Sequence, residues 1–110
     1  MNMKMIKAIV RPEKSTVVLD ALNDAGFRAA TNYSVLGRGN QRGLKVGDIY
    51  YDEIAKSMIV IVVQVEDVDK VIRIIEENAR TVKKGNFGDG KIFVLPVEET
   101  ITISSGQVEK

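Results

Sequence analysis

Met58-Ile59-Val60-Ile61-Val62-Val63 is the stretch on which the fold turns. A short apolar run rich in β-branched residues reads as a strand. Alternation then puts Ile59, Ile61 and Val63 on one face and Met58, Val60 and Val62 on the other. Helices of the same chain can cover one of these faces. The other must meet a loop, the tail or a second subunit, and the expectation is oligomerisation through the sheet.

Downstream, Val68, Val71, Ile72 and Ile75 fall at helical spacing behind Glu66 or Asp67, which would open the helix. Ile92–Val94 follows as a strand, and Thr100–Ile103 as a short further one near the polar tail. Upstream, Ala29–Leu36 reads as a strand closed by Gly37 and Gly39. Before it, Val18, Ala21, Leu22 and Ala25 mark a helix of about three to four turns that Gly26 stops. Met3–Arg11 opens the chain as a strand with Ile6, Ala8 and Val10 on one face, ended by Pro12. Strand–helix–strand twice over predicts an α+β ferredoxin-like sandwich, βαββαβ plus a short C-terminal strand. It has one antiparallel sheet with both helices on one face.

The 110 residues make about one domain, 1–110, large enough to bury a core. Sixteen basic and fifteen acidic residues leave a net charge of +1, so no global field draws the chain to nucleic acid or an anionic membrane. Without Cys or His, disulfides, thiolate nucleophiles, imidazole bases and Cys/His metal sites are excluded. No apolar run approaches the roughly 20 residues of a membrane span. No signal-peptide core stands at the N-terminus, and a cytoplasmic location is expected.

Two glycine-rich segments carry the chemistry. Gly85-Asn86-Phe87-Gly88-Asp89-Gly90-Lys91 can turn backbone N–H groups toward a phosphate beside a cation. It matches the Gly-x4-Gly-Lys of a phosphate loop, but Ile92 stands where the hydroxyl that holds Mg²⁺ should be, and a strand follows instead of a helix. A cradle of this kind suits nucleotide binding rather than rapid turnover; the plain alternative is a turn joining helix to strand. The second segment is Gly37-Arg38-Gly39-Asn40-Gln41-Arg42-Gly43, opening a loop, 39–55, where this fold needs only a hairpin of about 2–5 residues. Tyr50 and Tyr51, on a segment too polar for the core, together with Arg42, have the profile of a protein-contact surface. Lys56 closes the loop at the mouth of the third strand. Singly, each of these is also an ordinary solvated loop residue; together they suggest one shared anionic site.

In order and spacing, Gly37-x-Gly39-x-Gln41-x-Gly43, Lys56, and Gly88-Asp89-Gly90-Lys91-Ile92-Phe93 resemble the PII nitrogen-regulatory signal-transduction proteins, as does the opening Met5–Pro12. The resemblance spans nearly the whole chain. Val46–Glu53 and Asn86–Gly90 look most like the branch associated with nitrogenase switch-off. The resemblance implies a trimer, as a homotrimer or with a paralogous subunit, whose nucleotide sites lie between neighbouring subunits. It places Gly37, Gly39, Phe87, Gly88, Asp89, Gly90 and Lys91 along the ATP/ADP site, with Ile9, Thr31 and Val62 near the base. Gln41 matches a ligand of Mg²⁺ that also holds 2-oxoglutarate, and Lys56 a lysine that pairs with that acid's carboxylate. The loop would report the bound state to a target protein, nitrogenase or a membrane transporter, with no catalysis of its own.

Three departures stand out. Thr102 and Ser104 occupy positions where the family usually has phosphate-contacting arginines, Val82-Lys83-Lys84 looks inserted before the cradle, and neither tyrosine falls on the position modified in the uridylylated branch. An RNA-recognition domain shares the element order, but its aromatics belong on the third strand, which has none here. An acylphosphatase-like enzyme on this fold would need its own arginine and asparagine arrangement, with only carboxylates and lysines left for acid–base work.

Overall fold

A computed structural model of the chain describes residues 2–37, 44–46, 49–51, 54–82, 85–86 and 88–110, with backbone alone at 44–46 and 49–51. Strands β1 (Met3–Val10), β2 (Ala30–Gly37), β5 (Ile54–Gln64) and β6 (Gly90–Val97) form a four-stranded sheet in the order β2-β5-β1-β6. All three pairings are antiparallel. Helices α1 (Ser15–Asp24) and α2 (Val68–Ala79) lie side by side over one face. This is the expected ferredoxin-like sandwich.

The core is the layer between helices and sheet. Ile6, Ala8 and Val10 from β1 and Ile59, Ile61 and Val63 from β5 are buried against Val18 and Leu22 of α1 and Val71, Ile75 and Ala79 of α2. Those are the apolar stripes that the 2- and 3.6-residue periods predict.

Local chemistry sets the boundaries. Pro12 does not simply end β1: it starts a 3-10 turn, Pro12–Lys14, that feeds α1, and the Ser15 hydroxyl donates to the Pro12 carbonyl at 2.9 Å. The end of α1 is a Schellman motif. Gly26 N–H donates to Asn23 O and Phe27 N–H to Leu22 O, with Gly26 at φ +95°, and Phe27 packs back on the core. A 3-10 turn, Val65–Asp67, also precedes α2. Asp67 sits at the capping position but its side chain makes no capping bond, so the expected opener is correct in place and not in mechanism. Pro96 lies within β6, which can hold it because β6 is an edge strand.

Several boundaries differ from expectation, and β6, expected over Ile92–Val94, runs from Gly90 to Val97. β5 starts at Ile54, so the last two residues of the 39–55 loop are strand, paired with Gly37 and Leu36. Within the loop, where no period was legible, β3 (Leu44–Val46) and β4 (Ile49–Tyr51) form a small hairpin. The C-terminal strand β7 (Thr100–Ile101) pairs with β8 (Val108–Glu109) as a separate hairpin and does not join the sheet. A three-residue strand has too few positions to show a period, and β8 carries no apolar alternation.

The face of the sheet away from the helices is laid out by register. Tyr33, Met58, Ile9 and Lys91 form one row across the four strands; Thr31, Val60, Lys7 and Phe93 form the next; Val62, Met5 and Leu95 form a third. Most of this surface is apolar and none of these residues is buried; Phe93 is 43% exposed. The doubly apolar β5 therefore has one face in the core and one face open within the chain.

Candidate functional site

Four strand ends meet at one edge of the sandwich. β1 ends at Val10 and leads into Arg11, β2 ends at Gly37, β5 enters through Lys56, and the cradle runs into β6 at Gly90. The Lys56 ammonium donates to the Gly88 carbonyl, which ties the root of the long loop to the cradle. A methyl group added at Gly37 would lie 3.4 Å from the Lys56 side chain, and one at Gly88 would lie 3.2 Å from the Arg11 guanidinium. At Gly37 that is ordinary contact, whereas Gly88, at φ +89°, is where glycine lets the segments approach. Gly90 is the tightest point: at φ +123°, an added Cβ would fall 1.7 Å from the Ile9 carbonyl oxygen.

Asp89 organises the cradle. Its carboxylate accepts from Arg11 Nε at 3.0 Å, from Thr81 Oγ1 at 2.9 Å, from the Thr81 N–H at 3.3 Å and from the Asn86 N–H at 2.8 Å. Burial alone would raise its pKa, but the Asn86 N–H, then Arg11 and Thr81, outweigh it and bring the carboxyl down to about 2. Lys56 is shifted the other way from its usual behaviour beside an anion. Burial and then the Arg11 charge lower its pKa, against smaller raising effects from Glu13 and Asp89. Two cations flanking Gly88 form a place where an added anion would be stabilised.

Of the residues expected at the site, Ile9, Gly37, Lys56, Gly88, Asp89, Gly90 and Lys91 converge at this edge. Thr31 and Val62 share the open face, but they lie one and two rows from the Ile9–Lys91 row, on β2 and β5. With strands about 4.8 Å apart, β2 stands roughly 14 Å from β6, so one chain does not bring Thr31 against the cradle. Gly39, Gln41, Arg42 and Phe87 lie outside the described residues, as do Lys83 and Lys84 of the inserted segment; Tyr50 and Tyr51 are on β4. Thr102 and Ser104 are exposed on the C-terminal hairpin. Among the described residues no group of three His, Cys, Asp or Glu could hold a metal.

Arg11 and Thr81 belong to the constellation and were not picked out from sequence. Their bonds to Asp89 span 78 and 8 residues. The available signal for Arg11 was its place immediately after a strand that ends at the same edge as the other cations.

A cleft of about 780 Å³ adjoins the cradle on the helix side, between α2 and β6, walled by Ile72, Ile75, Ala79, Ile92 and Val94. The Arg80–Glu76 ion pair, at 3.0 Å, lies on its rim.

The family model for "Nitrogen regulatory protein P-II" matches residues 3–107. This chain belongs to the P-II family. Relatives include a "Nitrogen fixation nifHD region GlnB-like protein 1" from Methanothermococcus thermolithotrophicus, 50% identical over 105 residues, covering 96% of this chain and 97% of the relative. A "Nitrogen fixation nifHD2 region GlnB-like protein 1" from Methanosarcina barkeri is 53% identical with the same coverage. These names put the P-II chain in the nitrogen-fixation-associated branch. The crystal structure of Arabidopsis thaliana PII bound to citrate superposes with a TM-score of 0.79 at 37% identity, covering 98% of this chain and 86% of that one. No helix among the described residues of this P-II protein is long and apolar enough to cross a membrane.

Proposed function

We propose that this P-II chain is a non-catalytic regulator that binds ATP or ADP at the cradle, reads 2-oxoglutarate with Mg-ATP, and controls a target protein through the loop 39–55. The target in this reading is nitrogenase. The observation that carries it is the contact of Lys56 with Gly88: the loop's C-terminal root and the phosphate cradle are one mechanical unit, so an anion bound there acts directly on the loop.

The residues fit the ligands. Backbone at Gly88 and Gly90 with Lys91 suits phosphate, Arg11 and Lys56 suit an anion, and the citrate named for the plant relative is itself a polycarboxylate. Mg²⁺, when bound, would supply a hard cation for anionic oxygens, with Gln41 as the chain's own ligand. The separation of Thr31 and Val62 from the cradle fits a trimer, with the base held between one subunit's cradle and a neighbour's sheet.

Calorimetric titration with ATP and with ADP, each with and without Mg²⁺ and 2-oxoglutarate, tests this. Nucleotide binding, with 2-oxoglutarate binding only when Mg-ATP is present, is the expected result; no nucleotide binding overturns the reading. Exposed Thr102 and Ser104 in place of arginines favour a second reading, in which nucleotide binds without any 2-oxoglutarate response and the target is a membrane transporter.

A further inference from the structure

Asp89 stands inside the glycine cradle, where a carboxylate would repel a phosphate placed against it. Its hydrogen bonds point elsewhere. Both oxygens are engaged by the protein: Oδ1 by Arg11 Nε and Thr81 Oγ1, Oδ2 by the N–H groups of Thr81 and Asn86. The Asn86 side chain in turn donates to Thr81 Oγ1 at 2.9 Å, and a Cβ added at Gly85 would lie 3.4 Å from Asp89 Oδ2. The carboxylate thus binds the chain on both sides of the 82–84 segment, at Thr81 and at Asn86, and ties that closed loop to the end of β1 through Arg11.

We propose that Asp89 is a positioning residue: it shapes the cradle and orients Arg11 for an anionic ligand without touching that ligand itself. This rests on the nucleotide-binding reading above and specifies how its phosphate subsite is built. The side chain's low exposure, 14%, agrees with a group that faces the protein.

The test is Asp89→Asn in the full chain, with Thr81→Val as a second variant that removes one donor and keeps the carboxylate. Binding of ATP, ADP and adenosine is measured by calorimetry with and without Mg²⁺, and exchange of the Thr81 and Asn86 amides by NMR. Asp89→Asn should weaken ATP and ADP by at least about tenfold, leave adenosine unchanged and speed exchange at both amides; Thr81→Val should show a smaller loss in the same direction. Equal loss for adenosine would make the residue a general support or a base contact. A loss seen only with Mg²⁺ would make it a metal ligand, and unchanged affinities with unchanged exchange would remove it from the site. Each of these three results overturns the proposal. Wild-type protein that binds no nucleotide defeats the functional reading instead, and amide exchange in Asp89→Asn still decides whether the carboxylate holds the cradle.

Discussion

Gly90 and Gly26 both take positive φ, for different reasons. At Gly26 an added methyl group meets nothing within 4 Å, so Gly26→Ala incurs only the left-handed backbone penalty of about 1–2 kcal/mol. At Gly90 the same methyl group collides with the Ile9 carbonyl. To relieve that collision β6 must move off β1 where Val10 pairs with Gly90. Thermal unfolding should show Gly90→Ala losing at least twice the melting temperature that Gly26→Ala loses; equal losses would mean that backbone strain alone matters. Asp89 sets a pH dependence at the same scale. Its folded pKa, about 2, lies below the ordinary 3.8. Its contribution is therefore fully present above about pH 4 and is lost as pH falls through about 2. Denaturant midpoints of wild type and Asp89→Asn should differ near pH 6 and converge toward pH 2.

The two helices hold the sheet through a narrow set of contacts. Ile75 is 1% exposed and packs at the centre of the layer, so Ile75→Ala should cost about 2–5 kcal/mol. Val17, on the outer face of α1 and 46% exposed, should tolerate alanine within about 0.5 kcal/mol. Urea unfolding of the pair checks which stripe of each helix carries the packing. Similar losses in both would contradict the burial pattern.

At the scale of the whole molecule, the open face of the sheet decides behaviour. The rows through Phe93, Val60 and Tyr33 leave an apolar surface that the helices cannot reach. Phe93→Glu places a charge on that surface and leaves the helix-side core untouched. Far-UV circular dichroism should stay as in wild type while light scattering shows the mass falling to that of one chain. An oligomer that survives the substitution would put the interface elsewhere.

Sequence by itself determined the sandwich. Periods of 2 and 3.6 residues are properties of consecutive side chains, so β1, α1, α2 and both faces of β5 were legible from Ile6, Leu22, Ile75 and Met58–Val63 alone, and glycine spacing marked the cradle. The short elements β3, β4 and β8 have too few residues for a period and emerged only in the folded chain, as did the pairing of β7, legible as a strand, with β8 rather than with the sheet. Tertiary structure also decided how the site is wired. It gave Lys56 the Gly88 carbonyl, set Arg11 and Thr81 on Asp89, and kept Thr31 and Val62 away from the cradle. Hydrogen bonds of this kind depend on which strand ends the sheet order brings to one edge. That order, β2-β5-β1-β6, is fixed by long-range pairing, which no local pattern encodes.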